Sequence, residues 1–128
     1  MQKFLHENLT SDIISAFYFV YNDLGYGFLE KVYEKALIIE LKKSGLKVTS
    51  QLPIKVYYEG EIVGDYYADI VVENKIILEL KTVKHLLPIH EAQLVNYLKA
   101  TGMEVGLLLN FGEKPQVKRK IFTNDRKK

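Results

Sequence analysis

ADIVVENKIILELK, residues 68–81, reads as two strands around a short polar turn: one over residues 66 to 72, the other over 75 to 83. The first carries Asp69; the second carries Glu79 and Lys81 with Leu80 between them. Side chains alternate along a strand, so Glu79 and Lys81 share one face and Leu80 takes the other. Whether Asp69 joins them depends on register. A two-residue turn at Glu73-Asn74 pairs Val72 with Lys75 and sets Asp69 opposite Leu78, on the wrong face. A three-residue loop, Glu73-Asn74-Lys75, pairs Val72 with Ile76 and sets Asp69 opposite Glu79. One residue of slip decides between them, unless a bulge corrects the shorter turn.

In the second register two carboxylates lie directly across from each other, which is unfavourable for like charges. A cation between them removes the penalty, and carboxylate oxygens suit hard ions such as Mg²⁺ or Mn²⁺. Lys81 beside such an ion could hold or help deprotonate a water. The ion would lower that water's pKa and stabilise charge on a phosphoryl oxygen, which points to phosphodiester hydrolysis. The plainer reading is that all three side chains face water, and Glu-x-Lys by itself is a weak motif.

Working outward, Thr10 or Ser11 can cap a first helix, in which Ile13, Ile14, Phe17 and Val20 recur at helical spacing. Gly25 and Gly27 interrupt it. A second helix is expected from about Phe28 to Lys43, with Leu29, Val32, Tyr33, Ala36, Leu37 and Leu41 as its apolar stripe and Gly45 at its end. The period then changes. Leu46 to Val56 reads as a strand whose Pro53 implies a sheet edge or a bulge, and Glu59-Gly60 offers a turn. Pro88 suits the first turn of a third helix, with Gly102 as its stop. Val105 to Phe111 is a continuous apolar run fitting a strand buried on both faces, and Gln116 to Phe122 is one more short strand. The expected fold is α/β, a central mixed sheet flanked by helices.

The chain of 128 residues suits one domain, residues 1–128. It has no cysteine, which excludes disulfides and thiolate zinc sites and is compatible with a reducing cytosol. The longest early apolar run, Ile13 to Tyr21, is too short to span a bilayer, and no basic segment precedes a cleavable apolar stretch. A cytoplasmic protein with no membrane partner is expected. From Lys114 to Lys128 there are seven basic residues and one acid, so this tail carries +6 within a chain of net +2. Lys118, Arg119 and Lys120 in it are candidates for nucleic-acid contact; the alternative is a solvated, frayed terminus.

Two further places carry candidate site residues. Glu30 lies in the first turn of the second helix, where it could supply another oxygen to an ion, although the helix dipole favours an acid there in any case. Gln93 and Tyr97 are four apart on the third helix and share a face. Their amide and hydroxyl could orient a phosphate or a water.

Asp69, then Glu79-Leu80-Lys81, then Gln93-x-x-x-Tyr97 resembles the PD-(D/E)XK nuclease superfamily, and the trailing Gln-x-x-x-Tyr is similar to its RecB-type branch. More closely, Gly27-Phe28-Leu29-Glu30-Lys31-Val32-Tyr33, YYADIVVENKIILELK, HEAQLVNYLKATG and GLLLNFG resemble the GxxExxY family, over about Leu9 to Ile121. The resemblance implies a restriction-endonuclease-like core and a Mg²⁺- or Mn²⁺-dependent nuclease acting on DNA or RNA. It implies Asp69 and Glu79 as metal ligands with the Leu80 carbonyl, Lys81 as catalytic lysine, Glu30 as the helix-borne acid, and Gln93 and Tyr97 as the flanking polar pair. The proline that names the superfamily is absent: Ala68 precedes Asp69.

A non-catalytic module that keeps the fold and binds nucleic acid or protein is the competing reading, against which the intact set of Asp69, Glu79 and Lys81 stands. Tyr57, Tyr58, Tyr66 and Tyr67 read either as base-stacking groups or as cross-strand packing. A homodimer would help so small a domain to cut both strands of a duplex; the edge strand near Pro53, or the aromatic face Phe17, Tyr18, Phe19 and Tyr21, would make the contact.

Overall fold

A strand that is apolar at every position needs cover on both faces. The computed structural model, which describes residues 5–127, supplies it. Strand β4 (Val105–Phe111) is buried along its whole length. Helices α1 (Glu7–Leu24) and α2 (Glu30–Lys43) cover one face, and α3 (Pro88–Lys99) covers the other. Around β4 run β1 (Val48–Tyr58), β2 (Glu61–Val72), β3 (Ile76–Lys81) and β5 (Pro115–Ile121), in the order β1-β2-β3-β4-β5. Every neighbouring pair is antiparallel except β3 and β4, which run parallel with α3 in the connection between them. This is the expected mixed sheet flanked by helices.

Alternation along the strands sorts the core. Leu78, Leu80, Leu107, Leu109 and Phe111 meet Phe17, Tyr33, Leu37 and Leu41 on the α1/α2 face. Val71, Ile77 and Leu108 meet Leu94, Tyr97 and Leu98 of α3 on the other.

The expected boundaries shift in several places. Helix α1 starts at Glu7 rather than at a Thr10 or Ser11 cap, because Leu5 and Leu9 also pack on the core and draw the helix back. Helix α2 starts at Glu30: Gly25 and Gly27 have φ of 70° and 110°, and Leu29, its N-cap, is extended. Leu29 is therefore 80% exposed and Val32 lies outside the stripe, whose buried members are Tyr33, Leu37 and Leu41 with Glu34 among them and Ala36 packed beside them. At the other end, Gly45 N–H donates to the Lys42 carbonyl and Leu46 N–H to that of Leu41, closing the helix in a Schellman motif. Strand β3 stops at Lys81 rather than at residue 83, because Val83 bonds through both its N–H and its carbonyl to the buried Asn110 side chain.

Strand β1 is an edge, as Pro53 implies, and it joins β2 through Glu59-Gly60, both at positive φ. Strand β2 begins earlier than expected. From Glu61 to Ala68 its ladder partners are on β1 alone, so the two form a ribbon reaching beyond the rest of the sheet. The basic segment is not frayed: Lys127 Nζ donates to the carbonyls of Thr101 and Met103, and Arg126 lies over the Phe122 ring. Lys128 lies outside the described residues. On α1, Phe17 is core and Tyr21 donates to the carbonyls of Gly112 and Glu113, leaving Tyr18 and Phe19 as its exposed aromatics. Among the described residues no helix is long and apolar enough to cross a membrane.

The decisive turn combines both sequence alternatives. Glu73 and Asn74 have φ of 55° and 54°, and Lys75 N–H donates to the Val72 carbonyl, as in a tight two-residue turn. Yet Val72 pairs with Ile76, so Lys75 is an extra residue that advances the register by one. Because Asn74 occupies the left-handed region, a β-branched residue there is strained. Asn74→Val should lose about 1–2 kcal/mol in urea denaturation, whereas Asn74→Gly should lose nothing; equal losses would contradict the turn.

Candidate active site

The β2/β3 ladder runs from Val72↔Ile76 to Ile70↔Leu78. One residue further, the same register sets Asp69 opposite Glu79, and there side chains take over from the backbone. Asp69 N–H donates to Glu79 Oε2 at 3.0 Å, and Leu80 N–H donates to Asp69 Oδ2 at 2.9 Å. Each carboxylate thus fills a place that a partner-strand carbonyl would occupy, and the two strands part into a fork. Among the described residues, the remaining oxygens, Asp69 Oδ1 and Glu79 Oε1, accept no hydrogen bond. In an extended strand the N–H and C=O of one residue point to the same edge. Leu80, whose N–H reaches Asp69, therefore turns its carbonyl to the fork as well.

The electrostatics of this pair are unfavourable as they stand. Glu79 is 6% exposed. Burial first, and then the charge of Asp69, push its pKa up to about 8. Asp69 is raised too, chiefly by burial and then by Glu34, against the pull of the Leu80 N–H, Lys81 and Lys31. Lys81, half-buried at the end of β3, acts on Asp69, Glu79 and Glu30 through its charge, and among the described residues it makes no ion pair. Two desolvated carboxylates, each with one uncommitted oxygen, and a backbone carbonyl beside them fit a hard divalent ion that keeps several waters. Among the described residues no three His, Asp or Glu side chains gather closely enough to ligate one ion. Glu30, largely exposed, shares the field without completing such a triad. Its pKa is raised by partial burial, Asp69 and Glu34, and lowered by Lys81.

Both faces of the sheet deliver side chains to the fork. From α3, Gln93 Nε2 donates to the Tyr97 hydroxyl at 3.2 Å. The Tyr97 pKa is raised by burial and by the charges of Glu79 and Asp69, which places its hydroxyl within reach of their field. From α2 comes a group that the sequence reading missed. Glu34, buried one turn after Glu30, accepts from Ser50 Oγ at 3.0 Å, from Gln51 Nε2 at 3.1 and 3.3 Å, and from Lys31 Nζ at 3.3 Å. The signal was present as an acid on the face shared by Leu37, Leu41 and Tyr33. Tyr33 itself is a clamp. Its hydroxyl donates to the Gly25 carbonyl at 2.7 Å and accepts from Phe28 N–H, while its ring stacks on Phe111 at 4.3 Å. It thereby fixes the turn that presents Glu30.

Lys118, Arg119 and Lys120 are elsewhere, on β5, two strands from β3. Arg119 donates to the Leu5 carbonyl, and Lys120 pairs with Glu91 at 2.9 Å; only Lys118 is exposed.

Comparison with known proteins adds three findings. The family described as the PD-(D/E)XK nuclease superfamily matches residues 7–120. No curated protein sequence matches the chain. The crystal structure of SSO0001, 20% identical, superposes with a TM-score of 0.56 over 92% of this chain and 60% of that one. At that identity the likeness is one of fold, and this chain spans about 60% of the other's length.

The Glu79 proton has a measurable consequence. In the folded, ion-free protein it is held up to pH about 8, whereas the ordinary value is 4.5. Between those values the folded state binds more protons than the unfolded, so stability falls as pH rises. Below the lower value both states are protonated, and above the upper one neither is. Urea denaturation should show a loss on the order of 3 kcal/mol across this window. Glu79→Gln should remove most of that slope; parallel profiles would contradict it.

Proposed function

The chain belongs to the PD-(D/E)XK nuclease superfamily, and from that premise we propose that it hydrolyses phosphodiester bonds of DNA or RNA using Mg²⁺ or Mn²⁺. The observation that carries the proposal is the fork, where Asp69 and Glu79 each keep one oxygen on a backbone N–H and one uncommitted. Those two oxygens and the Leu80 carbonyl would hold the ion. Bound there, it supplies positive charge against a phosphoryl oxygen and a lowered pKa for a water. Glu30, one step outside, would reach it through water.

The protein's own groups do the rest. Lys81 lies close enough to act on both acids by its charge and, among the described residues, makes no ion pair, so its ammonium is available to hold the attacking water and balance charge on the phosphate. Gln93 donates to Tyr97 and leaves the phenolic proton to bond a phosphoryl oxygen, so the pair orients the scissile group. Water oxygen bonds to phosphorus and gives up one proton to solvent, the bond to the leaving sugar oxygen breaks, and that oxygen takes up a proton from solvent. Of the β5 cations, Lys118 is the one exposed for contact with a more distant phosphate.

Within the superfamily we assign the chain to the GxxExxY family and the RecB-type branch, on Gly27, Glu30 and Tyr33 and on Gln93 and Tyr97. A reducing cytoplasm is the compartment that suits a chain without cysteine. Homodimerisation, through edge strand β1 or through Tyr18 and Phe19, belongs to this reading for a duplex substrate only.

Purified protein incubated with single- and double-stranded DNA and RNA in Mn²⁺ should cut at least one of them. Lys81→Ala, with an unchanged circular dichroism spectrum, should be slower by at least about 100-fold. Identical products at equal rates from both proteins would assign the cutting to a contaminant and defeat the proposal.

A further inference from the structure

A groove of about 820 Å³ runs between the β1/β2 ribbon and α3. Lys55, Tyr57 and Tyr66 line it from the ribbon, and Asn96, Tyr97 and Lys99 from the helix. Among the described residues its lining holds two lysines, three tyrosines and no carboxylate; Lys55 meets Asp65 in an exposed ion pair at 3.0 Å. Tyr97 is part of the α3-side core, but the two ribbon tyrosines are not. Tyr57 is 62% exposed, and Tyr66 leans toward Tyr97 with ring centroids 5.7 Å apart. Room for the Tyr66 ring comes from Gly64, where a Cβ would stand 2.8 Å from the ring's Cε2.

We propose that this groove seats an unpaired strand of nucleic acid and leads it to the fork. The proposal deepens the hydrolytic reading and takes its destination from it. Three observations support an unpaired strand. A tyrosine face stacks on a base only when that base has an unstacked face of its own, which a continuous duplex does not offer. Recognition of a duplex rests largely on many phosphate contacts from Lys and Arg, and here there are two. The groove is also continuous with the fork, since Gln93 and Tyr97 line it and belong to the proposed site.

A second cleft of about 430 Å³ lies between the α1–α2 turn and the loop after β3, with one carboxylate, Glu113, in its lining. Tyr26, Phe28, Thr82 and Lys84 line it, together with Leu29, the neighbour of Glu30; Thr82 is the neighbour of Lys81. A strand entering by the first groove has an aromatic exit by the second, with its phosphate crossing the fork between them.

The test separates binding from cutting. Fluorescence anisotropy in Ca²⁺ would measure short labelled DNA and RNA single strands against duplexes of the same sequence, for wild type, Tyr57→Ala and Lys81→Ala. Single strands of at least one sugar type should bind at least about tenfold more tightly than duplex. Tyr57→Ala should weaken that binding by at least about fivefold, the low end of one base-on-ring stack, and leave duplex binding unchanged. Lys81→Ala should keep the strand preference. Equal or tighter duplex binding, no nucleic-acid binding, or Tyr57→Ala matching wild type would overturn the groove assignment. Strand preference with no cutting in Mn²⁺ would support the groove while defeating the hydrolytic reading alone.

Discussion

Asp69 N–H donates to Glu79, and Leu80 N–H donates to Asp69; the open end of the β2/β3 hairpin is organised around this crossed pair of bonds. Charge-assisted bonds to backbone N–H groups are among the stronger ones available to a carboxylate. They hold two strands together where their ladder gives out. They also bring two acids into a desolvated space where both cannot comfortably ionise, and Glu79 is pushed up to about 8 in consequence. Replacing either acid with an amide of the same shape would ease the repulsion. The cation proposed above would relieve the same repulsion.

The surrounding elements hold the fork in place from both sides. On the edge side, Gln51 sits in β1 between residues paired with Ile70 and Ala68, next to Asp69, with φ of 55°. A non-glycine residue rarely adopts that conformation within a strand. The Gln51 amide spans both oxygens of Glu34, a buried acid of α2. Local backbone strain held by a specific bond network is typical of functional sites. On the loop side, Asn110 holds Val83 through both backbone groups and Gln116 through its Oε1, which orders the chain just after Lys81. Tyr33 does the same for the turn before Glu30.

Much of this was legible in the sequence, and the failures have physical reasons. The all-apolar run at Val105–Phe111 and the proline in β1 correctly give a doubly covered strand and an edge. The register of the hairpin was open, because periodicity cannot count turn residues: the chain makes the shorter turn and then inserts Lys75. Leu29 and Val32 were assigned to the α2 stripe by spacing, but the stripe begins one turn later, since the glycine break delays the helix start to Glu30. Glu34 went unseen because its partners, Ser50 and Gln51, lie on another element, and no local pattern reports a contact across sixteen or seventeen residues. The basic tail looked like an independent feature, whereas most of its charges are engaged on β5 and the turn after it.

The fold presents acids, a lysine and an amide–phenol pair at one opening in the sheet, with a tyrosine-lined groove reaching Gln93 and Tyr97. The proposed hydrolysis depends on Asp69 and Glu79 sharing one ion. Crystals grown or soaked with Mn²⁺ and measured at an energy where manganese scatters anomalously test this most directly. A peak between Asp69 Oδ1 and Glu79 Oε1, about 2.0–2.3 Å from each as expected for an ion near Mg²⁺ in its demands, is the predicted result. No peak at millimolar Mn²⁺, or a peak bound by neither acid, would contradict the account.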